Sequence, residues 1–295
     1  MKFRGHETFY IRRNWIPKGI KNIIKDPNVF MSTDENPMDI LGIGSNMVKS
    51  LRYWLQALGI SSENTTGKRK QTLTELGKII YENDPYLQEE GTLWLLQYKL
   101  ATNKDLATSW YYFFNEFSLN EFTKEELEEA LKVYILRNEM TISDRVIEDD
   151  VSCLINTYFL KDRTEKRKEN PEDNIKCPLE ELNLIGLVNK KDKIYKKNII
   201  DSNNIDPFIA FAIIKDQAKE DKEIKISLLQ EKNNIGKIFN LEITGILNLL
   251  RKLEKMNYIK VVRTAGLDII KIETDIEFLE IVKKYYENIN YGEKY

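Results

Sequence analysis

Leu41-Gly-Ile-Gly-Ser-Asn-Met-Val-Lys-Ser-Leu-Arg-Tyr-Trp54 decides how this chain is read. A tight glycine turn, Gly42-Ile43-Gly44, leads into a segment whose apolar residues recur at helical spacing. Met47, Val48, Leu51, Trp54, Leu55 and Leu58 form one stripe suited to burial. Ser45 is the expected N-cap. Ser45, Lys49, Arg52, Tyr53 and Gln56 are expected to face outward, and Gly59-Ile60 to end the helix. A turn, an amphipathic helix and a polar, basic outer face are what a helix entering the DNA major groove requires. Downstream, Thr66–Thr74 carries three consecutive cations, Lys68, Arg69 and Lys70, and reads as a basic wing able to touch phosphates or as a solvated loop. Residues 41–83 therefore read as a winged-helix-like segment.

The same order recurs near the C-terminus. A short helix is expected at Gly236–Asn240 and a longer one at Glu242–Met256, followed by alternating strands at Tyr258–Val262 and Asp268–Ile272 around Thr264-Ala265-Gly266. Ile243, Ile246, Leu247, Leu250, Leu253 and Met256 make the inner stripe of the longer helix. Thr244, Asn248, Arg251, Lys252 and Lys255 make its outer face, with Arg263 in the wing. The alternatives are an ordinary solvated helix or a winged helix used for protein contact.

Between these segments, helical periodicity predicts helices at Thr74–Asn83, Gln88–Leu100, Leu106–Phe117, Thr123–Arg137 and Ser143–Phe159. Thr123-Lys-Glu-Glu126 opens one of them as a capping box. Residues 1–14 read as extended, Trp15–Lys25 as a helix, and Leu187–Lys196 as a small hairpin. Pro207–Lys219, Ile224–Lys232 and Ile276–Asn288 read as helical. The fold class is mainly α with small β-hairpins. Residues 1–160 are expected to form an N-terminal helical domain and 176–295 a C-terminal winged-helix-like domain. The stretch 161–175, almost devoid of apolar side chains, is expected to be a charged linker.

Composition narrows the function classes. A chain of 295 residues with net charge -2 has no whole-protein basic footprint, so any nucleic-acid surface must be local. No apolar run approaches the roughly 18 to 20 residues that span a bilayer. The N-terminus lacks the apolar region of a secretory signal. The two cysteines, Cys153 and Cys177, with one histidine, argue against a disulfide framework and a Cys/His zinc site and favour a cytoplasmic setting.

Candidate chemistry centres on Phe3-Arg-Gly-His-Glu-Thr-Phe9, which holds the only histidine. His6-Glu7 lacks the second histidine of a His-Glu-x-x-His zinc motif, because position 10 is Tyr10. His6 is a candidate general base or a structural residue. Glu148-Asp149-Asp150 supplies oxygen ligands of the kind Mg²⁺ takes, although neighbours on a helix diverge by about 100°. Solvated helix charge is the competing reading. The hypothesis drawn from these residues places His6, Glu7 and Asp149 or Asp150 at a catalytic centre, with Arg4, Arg12 and Lys49 on phosphates, Arg52 on the nucleic-acid face of its helix and Mg²⁺ as the candidate cofactor. No PD-(D/E)XK spacing, HNH set or Walker loop is present, and Gly42-x-Gly44 is not a dinucleotide fingerprint. Trp94, Tyr98, Trp110, Tyr111, Phe113, Phe114 and Phe117 read as core, with base stacking the lesser alternative.

Phe3–Phe9, Arg12…Trp15-x-x-Lys18-Gly19, Leu41–Val48…Leu51–Trp54, Asp84-Pro-Tyr-Leu87…Gly91-Thr-Leu-Trp94-Leu-Leu and Trp110-Tyr111…Phe114-Asn115 together resemble the bacterial family called domain of unknown function 4007. The resemblance spans most of the chain. It implies similarity to the nicking-endonuclease component of the single-strand DNA phosphorothioation defence system. That implies DNA as a partner, together with a sulfur-transferring reductase-like enzyme and a cysteine desulfurase. The family often has histidine in the segment matching Leu95–Gln97, where this chain has Gln97. The competing expectations are a non-catalytic DNA-binding regulator and an adaptor scaffold for the sulfur-transfer enzyme. A homodimer is the candidate assembly.

Overall fold

Helix α1 spans Trp15–Lys25, α2 Pro37–Leu41 and α3 Ser45–Ala57. The glycine turn works by backbone conformation: Gly42 closes α2 at φ 60°, in the left-handed region that a side chain disfavours. Gly44 is the N-cap of α3, with no side-chain cap, and Ser45 is the first helical residue. The expected serine cap is thus displaced by one position. At the other end, Ile60 N–H donates to Leu55 O at 2.9 Å and Gly59 N–H to Gln56 O at 3.0 Å. With Gly59 at φ 68°, this is a Schellman closure.

The computed structural model describes residues 1–64, 66–67, 69–159, 177–264 and 267–290. Lys68, the expected charged linker 161–175, and Ala265-Gly266 of the expected wing turn lie outside the described residues. After α3, strands β1 (Ser61–Glu63) and β2 (Gln71–Leu73) pair antiparallel. Thr74 then caps α4 (Glu75–Asn83) by accepting Gly77 N–H at 2.9 Å. Helices α5 (Glu90–Thr102) and α6 (Thr108–Asn115) follow, then β3 (Glu121–Phe122), α7 (Lys124–Arg137) and α8 (Asp144–Tyr158). The Thr123–Glu126 capping box is present in full. Strands β4 (Ile185–Asn189) and β5 (Ile194–Lys197) form a hairpin that β3 extends to an antiparallel sheet ordered β3-β5-β4.

The remainder runs α9 (Pro207–Ala218), β6 (Glu223–Lys225), α10 (Ile235–Ile238), α11 (Ile243–Lys255), β7 (Ile259–Thr264), β8 (Leu267–Ile272) and α12 (Phe278–Asn290). Strand β8 lies between β6 and β7 in an antiparallel sheet. The segment expected to be helical at Ile224–Lys232 is instead strand β6 followed by a 3₁₀ turn at Ile226–Gln230. Its backbone pairs with β8, a contact that local periodicity does not carry. The extended reading of residues 1–14 also gives way, to a turn at 4–8. The fold class is mainly α with small antiparallel sheets.

Buried side chains from both parts of the chain form one continuous cluster. All seven residues of the expected aromatic core are buried, and all but Tyr111 belong to this cluster. Helix α5 is the seam: Trp94 packs on Phe239 with ring centroids 4.6 Å apart, and Gly91 N–H donates to Tyr285 Oη at 3.0 Å. Gln97, fully buried, donates to Ile238 O and accepts from Tyr158 Oη, so both ends of its amide are used within the core. Both cysteines are buried and free, Cys153 on α8 and Cys177 before Pro178.

Candidate nucleic-acid interface

The first nine residues fold back over α3. Glu7 N–H bonds to Arg4 O and Phe9 N–H to His6 O, and Arg4, Glu7 and Thr8 all take positive φ, at 55°, 48° and 68°. Three left-handed non-glycine residues in five are costly, and such backbone persists only where surroundings fix it. The fixing group is His6, which is 0% exposed. Thr8 N–H donates to its Nδ1 at 3.1 Å, so that nitrogen is the acceptor and Nε2 carries the proton. Nε2 lies 2.9 Å from Asp150 Oδ1. Asp150, 1% exposed, also accepts Arg4 N–H on Oδ1 and Ser109 Oγ–H on Oδ2, both at 2.6 Å. Its carboxylate therefore gathers three donors from the N-terminal loop and α6. The edge of Trp110 meets the His6 ring, centroids 5.7 Å apart.

With the loop held this way, Gly5 sits directly on Tyr53; a Cβ at Gly5 would come within 2.4 Å of that ring. Phe9 O accepts Trp54 Nε1–H at 2.9 Å. Tyr53, placed on the outer face by helical spacing, is consequently only 4% exposed. Burial pushes its phenol pKa well up, and the nearby Asp150 charge adds to the shift. The rest of the outer face of α3 stays open and combines with the loop and the β1–β2 hairpin. Lys2, Arg4, Lys49, Arg52 and Arg69 line one groove with Glu7 and Glu63, leaving a local formal charge of +3 from five cations and two carboxylates.

Within this groove Arg52 is fixed. Its Nε and Nη2 donate to the two oxygens of Glu63 at 2.8 and 2.6 Å, a bidentate clamp from α3 to β1. Gln56 adds a bond to Glu63 at 3.3 Å, and Arg69 Nε lies 3.9 Å away. Lys2 rests over the Tyr53 ring; partial burial lowers its pKa, and the positive charges of Arg52 and Arg69 act in the same direction. Arg4 pairs with Asp149 at 3.1 Å on the groove's edge. Lys2 and Glu63 did not stand out in the sequence. The signal available for Glu63 was only its position opposite Gln71 in a short hairpin.

The other expected site residues distribute as follows. Arg12 is 6% exposed, its guanidinium 5.2 Å from the Trp15 ring centre, so it faces the core rather than this groove. Lys70 is exposed in the hairpin loop. On α11, Asn248, Arg251 and Lys255 are exposed and Lys252 half-buried. Arg251 donates to Asn248 at 3.2 Å and Lys252 to Asn203 at 3.1 Å. Arg251 and Arg263 line a second groove between α11 and β7, where Glu254 accepts Val261 N–H at 2.7 Å. Among the described residues, no three His, Cys, Asp or Glu side chains converge closely enough to hold a metal ion. No described helix is long and apolar enough to cross a membrane.

Comparison with known proteins adds the family and the fold. The family model described as "Protein of unknown function (DUF4007)" matches residues 3–286. A crystal structure described as magnesium ion-bound SspB is similar at a TM-score of 0.86 and 24% identity, covering 98% of this chain and 89% of that one. A second SspB crystal structure is similar at a TM-score of 0.84, with the same identity and coverage. At this identity the likeness is one of fold. Comparison with curated proteins finds no match.

Proposed function

We propose, on the premise that this chain belongs to the DUF4007 family, that it binds DNA within a bacterial phosphorothioation defence system. The observation that carries the reading is the groove itself: cations from the N-terminal loop, α3 and the β1–β2 hairpin converge on a chain whose net charge is -2. A locally positive concavity on a near-neutral protein is an electrostatic footprint for a polyanion. In this reading α3 with the β1–β2 hairpin, and α11 with β7–β8, act as two winged-helix modules. Lys49 and Arg69 contact phosphates, while His6 and Asp150 position Arg4 and Glu7 by holding the loop. Arg251, Lys255 and Arg263 form a second contact. The motifs of residues 3–9 and 41–54 and the shared fold with SspB support placing the chain in the phosphorothioation system.

Mg²⁺-dependent nicking is the more specific reading. A magnesium ion is named for one structure of the same fold. The described side chains here do not fit a metal: His6 and Asp150 are bonded to each other in the core, and Asp149 is paired with Arg4. Strand cleavage is therefore carried by no step derived from these residues.

The test is duplex binding as a function of salt. Wild-type protein is expected to bind with a steep negative salt slope. Lys49→Glu and Arg69→Glu should each weaken binding and reduce that slope by about one. Unchanged affinity in both variants would remove the groove from the reading. Supercoiled plasmid with Mg²⁺ separates the two forms: relaxed circles support nicking, and retained but closed plasmid supports a regulator. Co-purification with the sulfur-transfer proteins without any DNA shift supports a scaffold.

A further inference from the structure

The motif Asp84-Pro-Tyr-Leu87 plays no part in the groove, yet its loop is tightly built. Asp84 is buried, and its two carboxylate oxygens accept Gln88 N–H at 2.8 Å and Glu89 N–H at 3.0 Å. Arg13 donates to Leu87 O at 2.6 Å. Leu87 is fully buried at φ 55°, a conformation that a bulky residue adopts at a cost. A buried carboxylate, a guanidinium clamp and a strained leucine thus hold one turn in place. What the turn displays is Tyr86, 64% exposed, more than any other large apolar or aromatic side chain among the described residues except Ile199.

Tyr86 does not stand alone. It lines a shallow groove with Asn14, Pro17, Lys18 and Lys21 of the α1 region. Lys18, Lys21 and Lys25 fall at i, i+3 and i+7, on one face of α1. Among the described residues none of the three has a carboxylate within ion-pair distance, whereas many other surface lysines do. The opposite face of α1, through Trp15, Ile16, Ile20 and Ile23, is buried in the core. This groove shares no lining residue with the one formed by α3.

We infer that Tyr86, with Lys18 and Lys21, is a binding site for single-stranded nucleic acid: a base stacks on the phenol ring and flanking phosphates lie on the two ammonium groups. An exposed ring has a face for any base, and adjacent unpaired cations track the backbone, which is the combination that single-strand sites use. The inference deepens the DNA-binding reading above and rests on it, assigning an unpaired strand to a surface separate from the duplex groove. Pro17 and the lysine stems supply the apolar floor under the sugar.

The experiment is fluorescence anisotropy with the full chain, using labelled oligothymidylate of about 12 nucleotides and, separately, a labelled duplex. Tyr86→Ala is expected to weaken oligothymidylate binding roughly tenfold, a typical stacking loss. Tyr86→Phe keeps the ring and is expected to stay within about twofold. The pair Lys18→Glu and Lys21→Glu should reduce the single-strand salt slope by about 1.4, since each contact contributes about 0.7. Duplex affinity should not change in any of these variants. Oligothymidylate binding that is insensitive to Tyr86→Ala overturns the inference, as does an equal loss of duplex binding. Wild-type protein that binds duplex but not oligothymidylate overturns it while leaving the duplex reading intact. Tyr86-dependent oligothymidylate binding without duplex binding does the reverse.

Discussion

His6 Nε2 and Asp150 Oδ1 meet at 2.9 Å across 144 residues of sequence, both side chains buried. This contact fixes a loop with three left-handed non-glycine residues, and that loop in turn covers Tyr53 and carries Lys2, Arg4 and Glu7 to the groove.

Asp150→Ala should cost about 3 kcal/mol or more of stability in urea unfolding, because it leaves three neutral donors, on His6, Arg4 and Ser109, without an acceptor, at about 1–3 kcal/mol each where they are buried. His6→Ala should cost less than Asp150→Ala, since Asp150 keeps two donors. The double variant should fall short of the sum by about 1 kcal/mol or more, the mark of direct coupling. A loss under about 0.5 kcal/mol for Asp150→Ala would mean the network does not hold the loop.

Gly77→Ala reverses the usual helix rule. Alanine is favoured over glycine in a helix by about 1 kcal/mol. Here a Cβ would lie 2.1 Å from Ile60 O, a backbone atom tied to Thr74 N–H at 3.0 Å. The variant is expected to lose about 2 kcal/mol or more. A melting temperature at or above wild type would contradict this close approach.

Lys197 gives a pH dependence. Burial, with Lys237 adding, pushes its pKa down to about 7 from 10.5. The unfolded chain therefore binds the extra proton between those values, so stability rises with pH from about 7 toward 10. The ammonium donates to Phe113 O and Phe117 O at 2.8 and 2.7 Å, contacts that favour the charged form and limit the gain. The gain between pH 7 and 9 should be at most about 2 kcal/mol. Lys197→Met should lose that rise, as measured by denaturant unfolding at both pH values. Identical pH slopes in the two proteins would assign the effect elsewhere.

Glu63→Gln probes the clamp on Arg52. Removing the charge frees Arg52 and Arg69 for phosphates and raises the local charge by one. Duplex affinity should increase about twofold to tenfold at low salt, with a steeper salt slope. Weaker binding would show that Glu63 presents Arg52 to the ligand rather than competing with it.

Local rules were legible where local chemistry sets the structure. The stripe of α3, the Schellman glycine at position 59, the Thr123–Glu126 box and the pairing of β7 with β8 all follow from residues a few positions apart. Strand β6 departs from the helical expectation because its three residues become a strand only by pairing with β8 more than 40 positions later. The two residues of β3 depend in the same way on β5.

The sequence by itself determined a mainly α chain with small hairpins, an aromatic core and local rather than global positive charge, because period, caps and composition are properties of neighbouring residues. Only the tertiary structure decided that Tyr53 is covered, that Arg12 turns inward, that His6 finds Asp150 and that Glu63 holds Arg52. Periodicity states which face of a helix is apolar. It carries no information on which distant segment will lie across the polar face, and that is settled by packing and buried hydrogen bonds between residues far apart in the chain.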